Sequence, residues 1–366
     1  MSLTVGIVGL PNVGKSTLFN AVSAARAEAA NYPFATIEPN VGIVGVPDER
    51  LDVLARLVSA ARKVPTAVEF HDIAGLVKGA SIGEGLGNQF LSHIREVDAI
   101  VHVVRCFDDP DVTHIEGTVD PARDIEITET ELLLKDMETL EKATDKAARS
   151  AKSGGADAKQ RAAVLQTLLD HLGRGQAARV VTREDAVAAG LARELGLLTA
   201  KPVLYAGNVG EDELPSPDSE AVRALQRIAD AGDAEVVFIC AEVEAQIAEL
   251  DADDREVFLA DLGLKASGLD RLVTAAYKLL DLLTFFTAAP KEARAWTVRA
   301  GARAPEAAGA IHTDLQRGFI RAEVISYDDF ARLGSEQAAR EAGKLRIEGK
   351  DYVVQDGDVI HVRFNV

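Results

Sequence analysis

The nine residues Gly9-Leu10-Pro11-Asn12-Val13-Gly14-Lys15-Ser16-Thr17 restrict this chain more than any other stretch. They carry a glycine, four residues, then Gly-Lys-Ser, and the flanks suit the pattern: Leu3 to Val8 reads as a buried strand and Lys15 to Ala25 as a helix. Backbone N–H groups must bend round a phosphate, and glycine lets the chain bend and approach without a Cβ in the way. Asn12, Val13, Gly14, Lys15, Ser16 and Thr17 then face the phosphates. Lys15 reaches the β and γ groups, Ser16 ligates Mg2+, and the helix N-terminus meets the negative charge.

At 366 residues the chain exceeds one ordinary core, so two or three domains are expected. Hydrophobic residues at 47% and charged residues at 27% are those of a folded soluble protein. The N-terminal strand leaves no room for a signal peptide, no apolar run reaches membrane-spanning length, and no membrane partner is expected. Cys106 and Cys240 both lie in apolar strand-like runs, read as buried free thiols, and point to a reducing cytoplasm. The net charge of −18 argues against a general nucleic-acid coat and against free DNA as a partner. Yet residues 284–366 hold 12 basic against 12 acidic side chains, and 128–195 hold 11 against 11. These two neutral segments leave a large RNA-containing partner open.

Along the chain, Asn31 to Asn40 is polar and proline-punctuated and reads as a loop containing Thr36. Val41 to Val46 is a strand, Pro47-Asp48 starts a helix to about Ala61, and Ala67 to Asp72 is the next strand. That strand delivers Asp72-Ile73-Ala74-Gly75 to the sheet's C-terminal edge, where ligands gather. Gly79 to Gly87 has the composition of a mobile loop; Asn88 to Val97 resumes a helix and Ala99 to Phe107 a buried strand. From Glu129, Leu132, Leu133, Met137 and Leu140 keep helical spacing to about Ala151. Ser153-Gly154-Gly155 breaks that run and Ala158 to Leu172 forms a second, which implies an inserted two-helix arm, with ordinary crossover helices as the alternative. Strand Val203 to Ala206, helix 218–231, strand Glu235 to Ala241 and helix 268–283 complete a mainly parallel sheet with helices on both faces. Strands at Ala295 to Val298, Ile320 to Ile325, Tyr352 to Val354 and Val359 to Phe364 form a separate α+β unit. The expected fold is therefore an α/β P-loop NTPase domain over 1–127 and 196–283, an arm over 128–195, and a small domain over 284–366.

Separate stretches converge on one nucleotide. Asp72 fits the second acidic position, binding Mg2+ directly or through water, and Gly75 the glycine that senses the γ phosphate. Thr36 lies where a second Mg2+ hydroxyl ligand would arise. With GLPNVGKST stand NYPFATIEPN, DIAGLVKGASIGEGLGNQFL, NVGE, and a C-terminal run from GFIRAEVISYDDF to DGDVIHVRFNV. This combination resembles the YchF family of Obg-like ATPases over essentially the whole chain. The resemblance implies an Obg-type GTPase-fold domain, an inserted coiled-coil arm and a C-terminal TGS domain of ubiquitin-like β-grasp form. It also implies association with the ribosome (50S or 70S) and a preference for ATP.

Two departures from ordinary GTPases bear on that preference and on catalysis. Guanine is read by Asn-Lys-x-Asp, whereas this chain has Asn208-Val209-Gly210-Glu211, so the lysine cover is absent and the carboxylate sits one methylene further out. Backbone around Val209, with Cys240 and Ala241 approaching, is the expected readout of adenine; for Glu211 a carboxylate facing water stays open. Leu76 stands where Ras-like enzymes carry the water-orienting glutamine, and an aliphatic side chain holds no water. His114 is one candidate substitute, against the plain reading of a solvated loop histidine. K+ held at Asn12 is another, at the position used by potassium-dependent relatives of this class. The remaining histidines, His361 among them, show no metal-ligand spacing. A GTPase of the ordinary Obg kind, and a nucleotide-gated scaffold with negligible turnover, remain the rival readings.

Overall fold

The computed structural model describes residues 4–25, 40–73 and 86–365. The chain opens with β1 (Thr4–Val8), the phosphate loop and α1 (Lys15–Ala25). β2 (Val41–Gly45), α2 (Glu49–Leu57), β3 (Lys63–Val64), β4 (Ala67–Asp72), α3 (Leu86–Glu96) and β5 (Ala99–Arg105) follow. Four helices come next, α4 (Pro121–Ala151), α5 (Ala156–Leu172), α6 (Ala178–Thr182) and α7 (Ala186–Leu195). The alternation resumes with β6 (Val203–Asn208), α8 (Glu220–Ala231), β7 (Glu235–Ile239), α9 (Ala241–Ile247), α10 (Ala252–Asp261) and α11 (Gly268–Leu279). The C-terminal part holds β8 (Leu282–Ala288), β9 (Ala293–Arg299), α12 (Ala304–Ile311), α13 (Thr313–Arg317), β10 (Phe319–Ser326), α14 (Tyr327–Leu333), α15 (Glu336–Glu341), β11 (Arg346–Glu348) and β12 (Asp358–Phe364).

The first sheet has the order β2-β4-β1-β5-β6-β7. Only β2, at one edge, runs antiparallel to its neighbour. β5 and β6 are buried at every position because both faces of the sheet are covered. Val5 and Ile7 of β1 and Val101 and Val103 of β5 pack with α1 and α11. Val8, Ile100 and Val104 pack on the other face with α3, α8 and the base of α4. The period-two alternation of strand side chains makes that division.

Helix α4 starts eight residues before the expected Glu129, at Pro121, behind an Asp120 N-cap that accepts from Ala122 N (3.1 Å) and Arg123 N (3.2 Å). Its base, through Ile125 and Leu132, belongs to the nucleotide-domain core. Beyond that, Leu133, Leu140 and Ala147 at seven-residue spacing meet Leu165, Leu168 and Leu172 of α5 and Leu191 of α7. Where the chain returns from the arm, the fully buried Asp136 accepts from Leu198 N (2.8 Å), Thr199 N (2.7 Å) and Thr199 Oγ1 (2.7 Å). Burial still raises its pKa above the usual carboxylate range.

The second sheet has the order β11-β10-β12-β8-β9-β3. Here two expectations change, besides Tyr352 to Val354, which forms no strand and only an isolated bridge from Val353 to Arg303. Residues 282–283 do not end a helix: Asp281 takes a left-handed φ of 54° and the apolar run Leu282–Ala288 becomes a strand paired with β9 and β12. The small C-terminal unit is also not closed on itself. β3 adds parallel to β9 through Lys63↔Ala293 and Val64↔Arg294, and Leu51 and Leu54 of α2 pack with Phe286 and Phe330. Arg50 joins Asp48 Oδ2 (2.8 Å) to Asp356 Oδ2 (2.6 Å) across the same junction.

Candidate functional site

The phosphate loop sits at the C-terminal end of β1, as parallel-sheet geometry requires. Two positions in it take left-handed backbone, Asn12 at φ 63° and Gly14 at φ 91°. At Gly14 nothing else fits, since a Cβ there would lie 2.1 Å from Asn208 Nδ2. Asn208, at the end of β6 and 4% exposed, donates from Nδ2 to Val13 O (3.0 Å) and accepts at Oδ1 from Ala241 N (2.9 Å). One amide thereby ties the phosphate loop to the loops after β6 and β7. Lys15, 9% exposed, forms a hydrogen-bonded ion pair with Asp72 Oδ1, which brings the last residue of β4 to the phosphate loop.

A cavity of about 730 Å3 opens on this loop. Asn12, Gly14, Lys15, Ser16, Thr17, Asn208, Val209, Glu211, Cys240 and Ala241 all line it, and Val13 lies just behind, with its carbonyl on Asn208. Of the backbone around Val209 expected to read the base, the Val209 N–H already donates to Ile239 O (2.8 Å), so that donor is spent. Glu211 is exposed at the cavity rim. Burial raises the Cys240 pKa and pushes the Cys106 pKa up to about 12, so both stay thiols and neither is a nucleophile at neutral pH. Thr36, Gly75 and Leu76 lie outside the described residues.

His114 is the outlier. It is 6% exposed rather than a solvated loop histidine, and it does not line the cavity. Its Nδ1 accepts from Glu116 N (3.1 Å), which assigns the proton to Nε2, and Nε2 donates to Asp124 Oδ2 (2.8 Å). Asn12 is also engaged, donating from Nδ2 to Thr113 O (3.1 Å) next to that histidine. Among the other histidines, His361 comes near Glu323 and Glu336, but both carboxylates are already paired with Arg363 or Arg340. The residues missed from the sequence are Arg105 and the wall Phe107 to Val112, the latter lining the cavity except at Asp111. An arginine inside the apolar run Ala99 to Phe107 was the signal available.

A mainly parallel sheet with a phosphate loop after β1, a lysine–aspartate pair and a cavity shared by four strand-end loops defines a P-loop nucleotide-binding protein. A family model described as "50S ribosome-binding GTPase" matches residues 4–152, and the YchF GTPase C-terminal model, described as a protein of unknown function, matches residues 282–365. The chain is 54% identical to the "Ribosome-binding ATPase YchF" of Bacillus subtilis (strain 168) over 369 residues, with all of both chains covered. It is 53% identical to the protein of the same name in Escherichia coli O157:H7, again over the whole of both. The solved structure of the Schizosaccharomyces pombe YchF GTPase superposes with a TM-score of 0.89 at 37% identity, covering 99% of this chain and 98% of that one. The chain belongs to the YchF family.

Proposed function

We propose that this chain is a cytoplasmic, ribosome-associated protein that binds and hydrolyses ATP and uses the nucleotide state as a switch. The observation that carries the choice of base is the loop Asn208 to Glu211. Asn208 keeps its structural place between Val13 and Ala241, while the lysine and aspartate that select guanine are replaced by a buried valine and an exposed glutamate. The relatives named for ATP hydrolysis and ribosome binding share about half of this sequence end to end.

The residues present fit Mg2+. Ser16 and Asp72 offer hard oxygen donors, and the Lys15–Asp72 pair keeps that carboxylate beside the phosphate loop. When bound, Mg2+ neutralises charge on the phosphates. Lys15 holds the β and γ groups, and backbone N–H groups around Gly14 orient them. Thr36 and Gly75 complete the set on this reading. His114 acts on the reacting water only after its Nε2 leaves Asp124, and Asn12 contributes a K+ ligand. The arm, 128–195, and the domain from 284 supply the ribosome-facing surfaces.

Steady-state phosphate release from ATP tests the reading, with and without ribosomes, in K+ and in Na+, against a Lys15→Ala control. Release above the control that rises with ribosomes supports it. Nucleotide binding without release in any condition favours a nucleotide-gated scaffold instead.

A further inference from the structure

Arg105 closes β5 with a side chain only 2% exposed, the largest side chain buried to that degree among the described residues. Its hydrogen-bond partners among the described residues are all backbone carbonyls. Nε donates to Phe107 O (3.1 Å), Nη1 to Val112 O (2.9 Å) and Asn12 O (3.4 Å), and Nη2 to Asp109 O (3.4 Å). The guanidinium also lies over the Phe107 ring, 4.4 Å from its centroid. Burying a cation with no carboxylate partner is costly, and only a full set of acceptors makes it tolerable. Three of those acceptors belong to residues 107–112, an otherwise irregular loop, and the fourth to the phosphate loop.

That loop is one wall of the nucleotide cavity, through Phe107, Asp108, Asp109, Pro110 and Val112. Apart from the long Arg105 contact to Asn12 O (3.4 Å), the phosphate cradle has its own anchors, through Asn208 on Val13 O, the Leu18 N–H on Gly14 O, and Lys15 on Asp72. We propose that Arg105 is a positioning residue that shapes the nucleoside end of the cavity, by fixing the 107–112 wall against Asn12, and does not act on the phosphates. This rests on the nucleotide-binding reading of the cavity. The planar five-donor fork is needed, because a lysine ammonium in the same place cannot span four carbonyls set round a plane.

The test compares a fluorescent ATP analogue with tripolyphosphate as ligands of wild type, Arg105→Lys and Arg105→Met, all as full-length chains. Tripolyphosphate engages the cradle alone, so its binding also reports that a variant is folded. In both variants the affinity for the ATP analogue is expected to fall at least tenfold, while that for tripolyphosphate stays within threefold. Equal losses for the two ligands would assign Arg105 a general structural or charge role and overturn the proposal. So would unchanged affinity for the ATP analogue, or a loss confined to tripolyphosphate. Should Arg105→Met fail to fold, the lysine variant, which keeps the charge, decides by the same comparison. Failure of the wild type to bind either ligand would instead sink the nucleotide reading itself.

Discussion

Asn208→Ala removes a side chain that joins three loops of the site. Truncation leaves Val13 O and Ala241 N without the partners now at 3.0 and 2.9 Å, in a place where Asn208 itself is 4% exposed. An orphaned buried backbone group costs roughly 1–3 kcal/mol. Water entering from the neighbouring cavity recovers part of this, so the pair should cost about 2–4 kcal/mol. For a domain of 150–250 residues each kcal/mol moves the melting temperature by about 2–4 °C, which gives a fall of roughly 4–16 °C. Asn208→Asp separates this account from simple loss of volume. The aspartate keeps an acceptor for Ala241 N but sets a carboxylate oxygen against Val13 O, so it should destabilise at least as much as alanine despite preserving the shape. Thermal unfolding followed by circular dichroism, without nucleotide, measures both. Melting temperatures within 1 °C of wild type, or an aspartate variant clearly more stable than alanine, would refute the argument that this amide holds the loops.

Leu54→Ala, in a helix of the nucleotide domain but fully buried against Phe286 and Phe330, should cost about 2–5 kcal/mol and lower the midpoint seen by Trp296, the sole tryptophan, in the C-terminal sheet. An unchanged Trp296 transition would mean that α2 is not part of that core. His102 is fully buried beside Tyr205 (centroids 5.7 Å apart), and burial, helped by Arg179, lowers its pKa to about 4. The folded protein therefore binds fewer protons there than the unfolded chain between about pH 6.5 and 4, so this contribution to stability is lost as pH falls through that window. His102→Phe keeps the ring contact and should reduce the loss of stability between pH 7 and 5 by about 2 kcal/mol in paired denaturant titrations; an identical pH dependence would contradict the assignment. His114→Ala should lower ribosome-stimulated ATP turnover at least tenfold while ATP affinity stays within threefold, as steady-state and binding assays read separately. Loss of affinity with turnover intact would place His114 in the architecture of the site and not in its chemistry.

The phosphate loop was legible because its chemistry is local: Gly14 must adopt positive φ, Lys15 and Ser16 follow it, and a strand and helix flank it. The parallel sheet was legible for a similar reason, since Ala99–Arg105 and Val203–Asn208 are buried on both faces and are apolar at most positions. What stayed hidden was set by partners distant in sequence. Lys63–Val64 is too short to announce a strand, and it becomes one only by pairing with β9 more than two hundred residues later. Leu282–Ala288 carries no periodicity that separates strand from helix, and the deciding turn at Asp281 is a single residue. His114 reads as a solvated loop histidine because Asp124, the carboxylate it meets in the buried site, lies on the first turn of a helix whose sequence pattern starts later. Arg105 stood in plain view, but its four acceptors are backbone carbonyls, which leave no trace in side-chain identity.

The central claim is that a P-loop built like a GTPase's here serves adenine: Val209 and Glu211 remove the guanine clamp, and the relatives named for ATP hydrolysis share about half of this sequence. Paired dissociation constants for ATP and GTP, measured on the same preparation by isothermal titration calorimetry with Mg2+ and K+ present, test it most directly. The account predicts tighter binding of ATP than of GTP by at least tenfold, about 1.4 kcal/mol. Equal affinities, or tighter binding of GTP, would contradict it.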